Sequence, residues 1–179
     1  EKAGNPDIVY EFVSTSKVSF PGGGVAAVAA SKANVDEILK SMTIQTIGYD
    51  KLNMLRHVRF FKDLDGLKEH MRRHAQILRP KFEAVLKVLN EELGGLGIAK
   101  WTEPKGGYFI SFEAVEGCAK EIVAKCKEAG VVLTGAGATF PYGIDPKDSN
   151  IRLAPTFPTP EELAAAADLF VLCVKLVSV

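Results

Sequence analysis

Ser14-Thr15-Ser16-Lys17-Val18-Ser19-Phe20-Pro21-Gly22-Gly23-Gly24 sets a lysine among small hydroxyl residues and ahead of a glycine run. A primary amine attacks a carbonyl only when unprotonated, so a lysine with chemistry to perform needs desolvation or cationic neighbours. Upstream, Ile8, Val9, Tyr10, Phe12 and Val13 predict a buried strand over residues 8 to 13 that would hold Lys17 where water is scarce. Downstream, Val25 to Ala30 reads as a second short buried strand, both belonging to a larger sheet. Taken alone, a lysine in a Ser/Gly loop reads as solvated. Its companions along the chain decide otherwise.

Those companions are Thr46-Ile47-Gly48-Tyr49-Asp50-Lys51, Leu55-Arg56-His57-Val58-Arg59-Phe60-Phe61, Glu103-Pro104-Lys105-Gly106-Gly107-Tyr108-Phe109 and Asn150-Ile151-Arg152-Leu153-Ala154-Pro155-Thr156, in that order. With the lysine segment they resemble the fold-type I, pyridoxal-phosphate-dependent aminotransferases, in particular the aspartate-aminotransferase-like subgroup. The resemblance implies an α/β fold in which a remnant of a large cofactor-binding domain adjoins an α/β small domain. It implies that Lys17 forms the Schiff base with pyridoxal 5'-phosphate, that Ser14 binds the cofactor phosphate, and that Arg152 grips the substrate α-carboxylate. It implies amino-group transfer between an amino acid, aspartate or glutamate, and a 2-oxo acid, in a homodimer. A lyase or decarboxylase on the same fold, and a non-catalytic small-domain module, are the alternatives.

Two features depart from the family pattern. Gly24, Val25 and Ala26 stand where many members place a phosphate-pairing arginine, which leaves hydroxyls, backbone N–H groups or Lys32 for that task. The lysine also lies close to the first residue, whereas the family has a long cofactor-binding region before it. The chain is therefore expected to be the C-terminal portion of an enzyme, inactive by itself. The expected division is residues 1–65 for the large-domain remnant, 66–79 for a domain-linking helix and 80–179 for the small domain.

Arg152 has an independent argument. It lies between Ile151 and Leu153 in a short apolar strand, where a buried guanidinium is costly without an anion and its planar fork suits a carboxylate. Arg56, His57 and Arg59 form a basic cluster open to a substrate carboxylate or to a surface or interface role. Arg72, Arg73 and His74 read as a solvated helix face, Phe140-Pro141-Tyr142-Gly143 as a loop near a substrate entrance, and Trp101 as core.

Other motifs compete for the same residues. Ser14-x-x-Lys17 matches the nucleophile motif of penicillin-binding proteins, but that motif opens a helix, and Val18-Ser19-Phe20-Pro21-Gly22 cannot continue one. Gly22-x-Gly24-x-x-Ala27 matches a dinucleotide fingerprint, but it leads toward a strand.

The 179 residues, 47% of them hydrophobic, can bury a core, and equal numbers of basic and acidic residues argue against a nucleic-acid or anionic-membrane partner. Cys118, Cys126 and Cys173 lack CxxC spacing and read as reduced, buried thiols. No signal-peptide pattern or bilayer-length apolar run is present, so the cytoplasm is the expected compartment.

Periodicity predicts helices over Ala33 to Met42, over Asp50 to Phe61 with a core stripe of Leu52, Leu55, Val58 and Phe61, and over Gly66 to Leu93 with a kink or break near Arg79 before Pro80. Strands follow at Ile98 to Trp101, Tyr108 to Phe112, Val131 to Leu133 and Ile151 to Ala154, with a helix at Glu116 to Ala129. A last helix is signalled by Thr159, Pro160 and Glu162, with a core stripe of Leu163, Ala166, Phe170, Val174 and Val177.

Overall fold

The structure is a computed structural model that describes residues 4–178; residues 1–3 and 179, the outer ends of the expected domains, lie outside the described residues. The chain forms two compact units, Glu1–His74 and Ala75–Val179.

In the first unit, strands Tyr10–Ser14 (β1) and Ala26–Ala30 (β2) pair antiparallel, Tyr10 opposite Ala30 and Ser14 opposite Ala26. Helices Lys32–Gln45 (α1) and Lys51–Phe61 (α2) follow, each capped by a side chain that accepts an orphan N–H of the first turn, Ser31 from Asn34 and Asp50 from Asn53. Lys62, at φ 66°, turns the chain into helix Leu64–Leu93 (α3). Gly66 is required there, because a Cβ would collide with the Phe61 carbonyl.

Two expectations fail in this unit. The strand is not buried: Phe12 is 76% exposed, because β1 and β2 make only a two-stranded ribbon and nothing covers its faces among the described residues. The stripe of α2 is also largely misphased, with Phe61 its one buried member. Leu52 is 80% exposed and Leu55 and Val58 are exposed, while Asn53, His57, Phe60 and Phe61 face the lysine segment. Polar partners and aromatic contacts outweighed the simple apolar period there.

Helix α3 runs from the first unit into the second without a break at Pro80. Proline removes one helical hydrogen bond, but the flanking bonds persist and the downstream stripe Val85, Leu89 and Leu93 is buried.

The second unit holds an antiparallel sheet of strands Ala99–Trp101 (β3), Ile110–Ala114 (β4) and Asn150–Leu153 (β5), with β4 in the centre. Helices Ala119–Glu128 (α4) and Pro160–Val177 (α5), with the second half of α3, supply the rest of the core. The two-residue alternation divides the sheet into faces. Ile110, Phe112, Ile151 and Leu153 are buried with Leu89, Leu93, Ile122, Phe170 and Val174. Ser111, Glu113, Asn150 and Arg152 fall on the other face. This is the α/β arrangement expected, with helices packed on a short sheet. Helix α5 begins as expected, with a capping box between Thr159 and Glu162 and Pro160 in the first turn, and Ala167, Val171 and Cys173 extend its buried stripe. Residues 131–133 are not a strand, because the Val131 N–H turns back to the Cys126 carbonyl (2.8 Å) and no ladder forms.

Asp145 organises the loop into β5. Its carboxylate accepts the N–H groups of Asn150 (2.8 Å), Lys147 (2.9 Å) and Ser149 (2.8 Å), and these bonds, led by that of Asn150, hold its pKa below the ordinary value. A depressed folded pKa gives stability that is present above the unfolded value and lost as pH falls through the folded one. Asp145→Asn should therefore flatten the acid limb of a stability-against-pH curve below about pH 4, the range in which an unfolded aspartate titrates, as urea unfolding followed at several pH values would show.

The core predicts a second contrast. Phe112, fully buried and packed edge-on to Phe170 with ring centroids 4.9 Å apart, should cost about 3–5 kcal/mol when replaced by Ala. Phe157, 95% exposed, should stay within about 0.5 kcal/mol. Urea unfolding of the two variants measures both.

Candidate functional site

Lys17 stands on a single turn at the end of β1. The Thr15 carbonyl accepts the N–H groups of Val18 and Ser19, both at 2.8 Å, and so closes a turn around the lysine. The base of the loop is closed twice: the Thr15 N–H donates to the Val25 carbonyl, and the Val25 N–H donates to Thr15 Oγ1, each at 2.8 Å. Ser14 therefore ends a strand rather than opening a helix, and the glycine run leads into β2, which removes the penicillin-binding and dinucleotide readings.

Ser14 lies beside the lysine turn. Its Oγ accepts the Ser16 N–H (3.1 Å) and is 2.7 Å from Ser16 Oγ. One bond between two hydroxyls leaves the other hydroxyl hydrogen to point outward, as an anion site requires. The glycines are needed for close approach. A Cβ on Gly24 would lie 2.7 Å from Ser16 Oγ and 2.9 Å from its Cα, and Gly22 has φ 72°. At Gly23 the same Cβ would lie 3.3 Å from Arg56 Nη1, so the Arg56 guanidinium overhangs the glycine turn. Lys32, a sequence candidate for phosphate, instead pairs with Asp36 at 2.6 Å.

Lys17 is exposed, contrary to the expectation that the strand would keep it dry; the uncovered ribbon is the reason. Order in the loop comes from α2 instead. Asn53 Nδ2 donates to the carbonyls of Gly23 (2.8 Å) and Gly24 (3.1 Å), and His57 Nε2 meets the buried Ser19 hydroxyl at 2.7 Å. Phe20 packs on His57, Phe60 and Phe61, with centroids 5.1 to 5.6 Å apart. The sequence reading missed this role for His57 and Asn53. Their i, i+4 spacing on a predicted helix was the available signal.

Arg152 belongs to the second unit and pairs with Ser111 across β4 and β5. It is half-buried, its guanidinium carbon lies 4.5 Å over the Phe109 ring, and its Nε is buried with no hydrogen-bond partner among the described residues. A desolvated donor on a cation is costly unless an anion meets it, which matches a guanidinium arranged for an incoming carboxylate.

The remaining candidates carry less. Arg72 and Arg73 bond to Glu69 on an exposed helix face, as expected. Residues Pro141–Gly143 form a short 3-10 turn with Tyr142 98% exposed, and Trp101 stacks on Phe112 at the core edge. Cys118, Cys126 and Cys173 are free thiols, and burial, aided by neighbouring Cys173, pushes the Cys126 pKa up to about 12, far from a nucleophile's range. Among the described residues no cluster of metal-ligating side chains occurs, and no helix is long and apolar enough to cross a membrane. An apolar cleft of about 390 Å³ in the second unit is lined by Val85, Val131, Leu133, Leu153 and Phe170; its Glu162 is engaged in the α5 cap.

A family model described as aspartate amino-transferase matches residues 1–179. An aspartate aminotransferase of Corynebacterium glutamicum is 44% identical over 98% of this chain and 41% of its own length. The crystal structure of an aminotransferase from Corynebacterium diphtheriae superposes with a TM-score of 0.94 at 48% identity, covering 98% of this chain and 44% of that one. An α-aminoadipate aminotransferase from Thermus thermophilus, solved with N-(5'-phosphopyridoxyl)-L-leucine, shares the fold at a TM-score of 0.78 and 24% identity, over 98% of this chain and 44% of its own. The chain thus spans about two fifths of the length of the curated relatives it matches.

Gly24→Ala places a methyl group against the Ser16 backbone and should open the lysine turn at a cost of roughly 1–3 kcal/mol. Amide exchange at Val18, Ser19 and Val25 should quicken, while that of α5 stays unchanged.

Proposed function

Because the chain belongs to the aspartate aminotransferase family, we propose that it carries the cofactor lysine and the carboxylate-binding arginine of a pyridoxal-phosphate-dependent enzyme that moves an amino group between an amino acid and a 2-oxo acid. The observation that carries the reading is the closed loop of residues 15–25, which presents Lys17 beside the Ser14 and Ser16 hydroxyls. The residues present fit the cofactor: the Gly24 backbone lies against Ser16 where a side chain would intrude, and the hydroxyl pair offers a donor for phosphate. When bound, pyridoxal phosphate supplies an electron sink for charge at the substrate α-carbon.

The chain's own residues have the other tasks. Lys17 Nζ binds the cofactor aldehyde and moves the α-proton, which demands an unprotonated amine. Ser14 Oγ, with Ser16 Oγ, binds the phosphate, and Arg56 over the glycine turn supplies positive charge that residues 24–26 lack. Arg152 orients the substrate by its α-carboxylate, lowering the entropic barrier to reaction. We take the amino acid to be aspartate or glutamate, in keeping with the name of the Corynebacterium glutamicum relative. Assembly as a homodimer in the cytoplasm belongs to the same proposal.

In the intact enzyme, Lys17→Ala should abolish both borohydride-fixable cofactor and transamination; multiple turnovers by that variant would refute the lysine's role. Arg152→Lys keeps the charge but loses the two-pronged fork, and should weaken amino-acid binding by roughly 2–4 kcal/mol while cofactor binding holds. Titrating the bound cofactor's absorbance with aspartate measures the change, and an unaltered affinity would remove Arg152 from the site.

A further inference from the structure

We propose that His57 is a positioning residue for Lys17, acting through Ser19 to fix the turn on which the lysine is carried. The inference rests on the reading of Lys17 as the cofactor lysine, but its geometry lies wholly within the first unit. Ser19, 5% exposed, is the buried polar residue among the described residues of that unit. Its Oγ is 2.7 Å from His57 Nε2, 3.0 Å from Thr15 Oγ1 and 3.1 Å from the Thr15 carbonyl. Thr15 and Ser19 are the residues two before and two after Lys17. Thr15 Oγ1 also approaches Nε2, at 3.4 Å. The imidazole therefore gathers both flanks of the lysine on one side of the turn.

The ring is itself held. His57 Nδ1 is 2.8 Å from the Asn53 carbonyl, which can only accept, so Nδ1 carries a hydrogen. Two proton arrangements then satisfy the cluster. With a neutral ring, the Ser19 hydroxyl donates to Nε2. With a charged ring, Nε2 donates to Ser19 Oγ and the Ser19 hydroxyl turns to the Thr15 carbonyl. The Ser19–His57 bond survives in both, as a fastening beneath a proton-transferring lysine should.

The other contacts from α2 to this loop fall elsewhere on it. Asn53 holds the glycine end of the loop, not the lysine turn. Phe20 packs beyond the turn, and the ribbon faces are uncovered. The backbone of residues 15–19 sets where the Lys17 Cα stands, and His57 is a side chain from outside the loop that reaches both flanks of that turn.

The test uses the intact enzyme with His57→Ala, His57→Gln, Ser19→Ala and the double variant His57→Ala/Ser19→Ala. In the cofactor-free state, amide exchange at Val18 and Ser19 should quicken about tenfold in His57→Ala and Ser19→Ala, the size expected for one lost hydrogen bond, with α5 unchanged. After pyridoxal phosphate is added, the pH midpoint of the Lys17-bound cofactor's absorbance band should shift in the same variants. His57→Gln, whose amide reaches the Nε2 position, should restore both readouts, and the double variant should be no worse than either single one. Additive effects, or wild-type exchange and midpoint in folded Ser19→Ala, would overturn the proposal, and Ser19→Ala decides the matter even if His57→Ala fails to fold. A wild type that fixes no cofactor on Lys17 overturns the functional reading and the role assigned here, whereas normal exchange in variants of a cofactor-binding wild type overturns the positioning role alone.

Discussion

Thr15 is the residue on which the lysine loop depends. Its N–H and Oγ1 tie the loop base to Val25, and its carbonyl closes the turn around Lys17. Threonine suits this position because it offers a backbone donor, a backbone acceptor and a hydroxyl within one residue of the strand end. Its loss would leave the Val25 N–H without its acceptor on a ribbon that has no third strand to supply another. Gly24 completes the closure, since only a missing side chain lets the returning strand pass Ser16 so closely.

The two units are held together internally by different forces. In the second, apolar burial dominates: Leu89, Ile110, Phe112, Ile122, Ile151 and Val174 are fully buried around one face of a three-stranded sheet. In the first, Phe61 is the buried apolar side chain, and order comes from caps, ring contacts and directed hydrogen bonds. Directional bonds net about 1 kcal/mol each and are weakened by solvent competition. The first unit should accordingly open locally at lower free energy than the second, although it carries Lys17, the proposed cofactor lysine.

How far the sequence revealed this follows the same division. Where a helix or strand packs on a core within the chain, pattern and outcome agree: the α5 capping box, the helix ending at Leu93 and the strands around Phe112 and Ile151 were all legible. At Pro80 the expected break did not form, because a local penalty was set against a helix whose downstream face is buried. Residues 131–133 misled because an apolar run declares burial without declaring a ladder partner. In the first unit the apolar period of α2 pointed to Leu52, Leu55 and Val58, whereas Asn53 and His57 face the loop. Polar bonds across 30 and 38 residues leave no trace in an apolar period, and only the i, i+4 spacing of Asn53 and His57 hints at them. Lys17, Ser14 and Arg152 were singled out through ordered motifs, not through composition, and their roles are part of the proposal.

The placement of the two candidate groups follows from what each must do. In the role proposed for Lys17, an amine that binds a cofactor and moves a proton needs a fixed base, and a hydrogen-bonded turn gives its backbone one. A guanidinium that must meet a carboxylate squarely gains from rigidity, because its selectivity lies in the orientation of a planar fork. Arg152 obtains that rigidity from a strand whose neighbours Ile151 and Leu153 are locked in the core, and its fork is steadied by the Phe109 ring. In that proposed role, the buried Nε without a partner among the described residues would be the cost of holding the geometry before an anion arrives. A paired and comfortable arginine at this position would be a better structural residue and a poorer receptor.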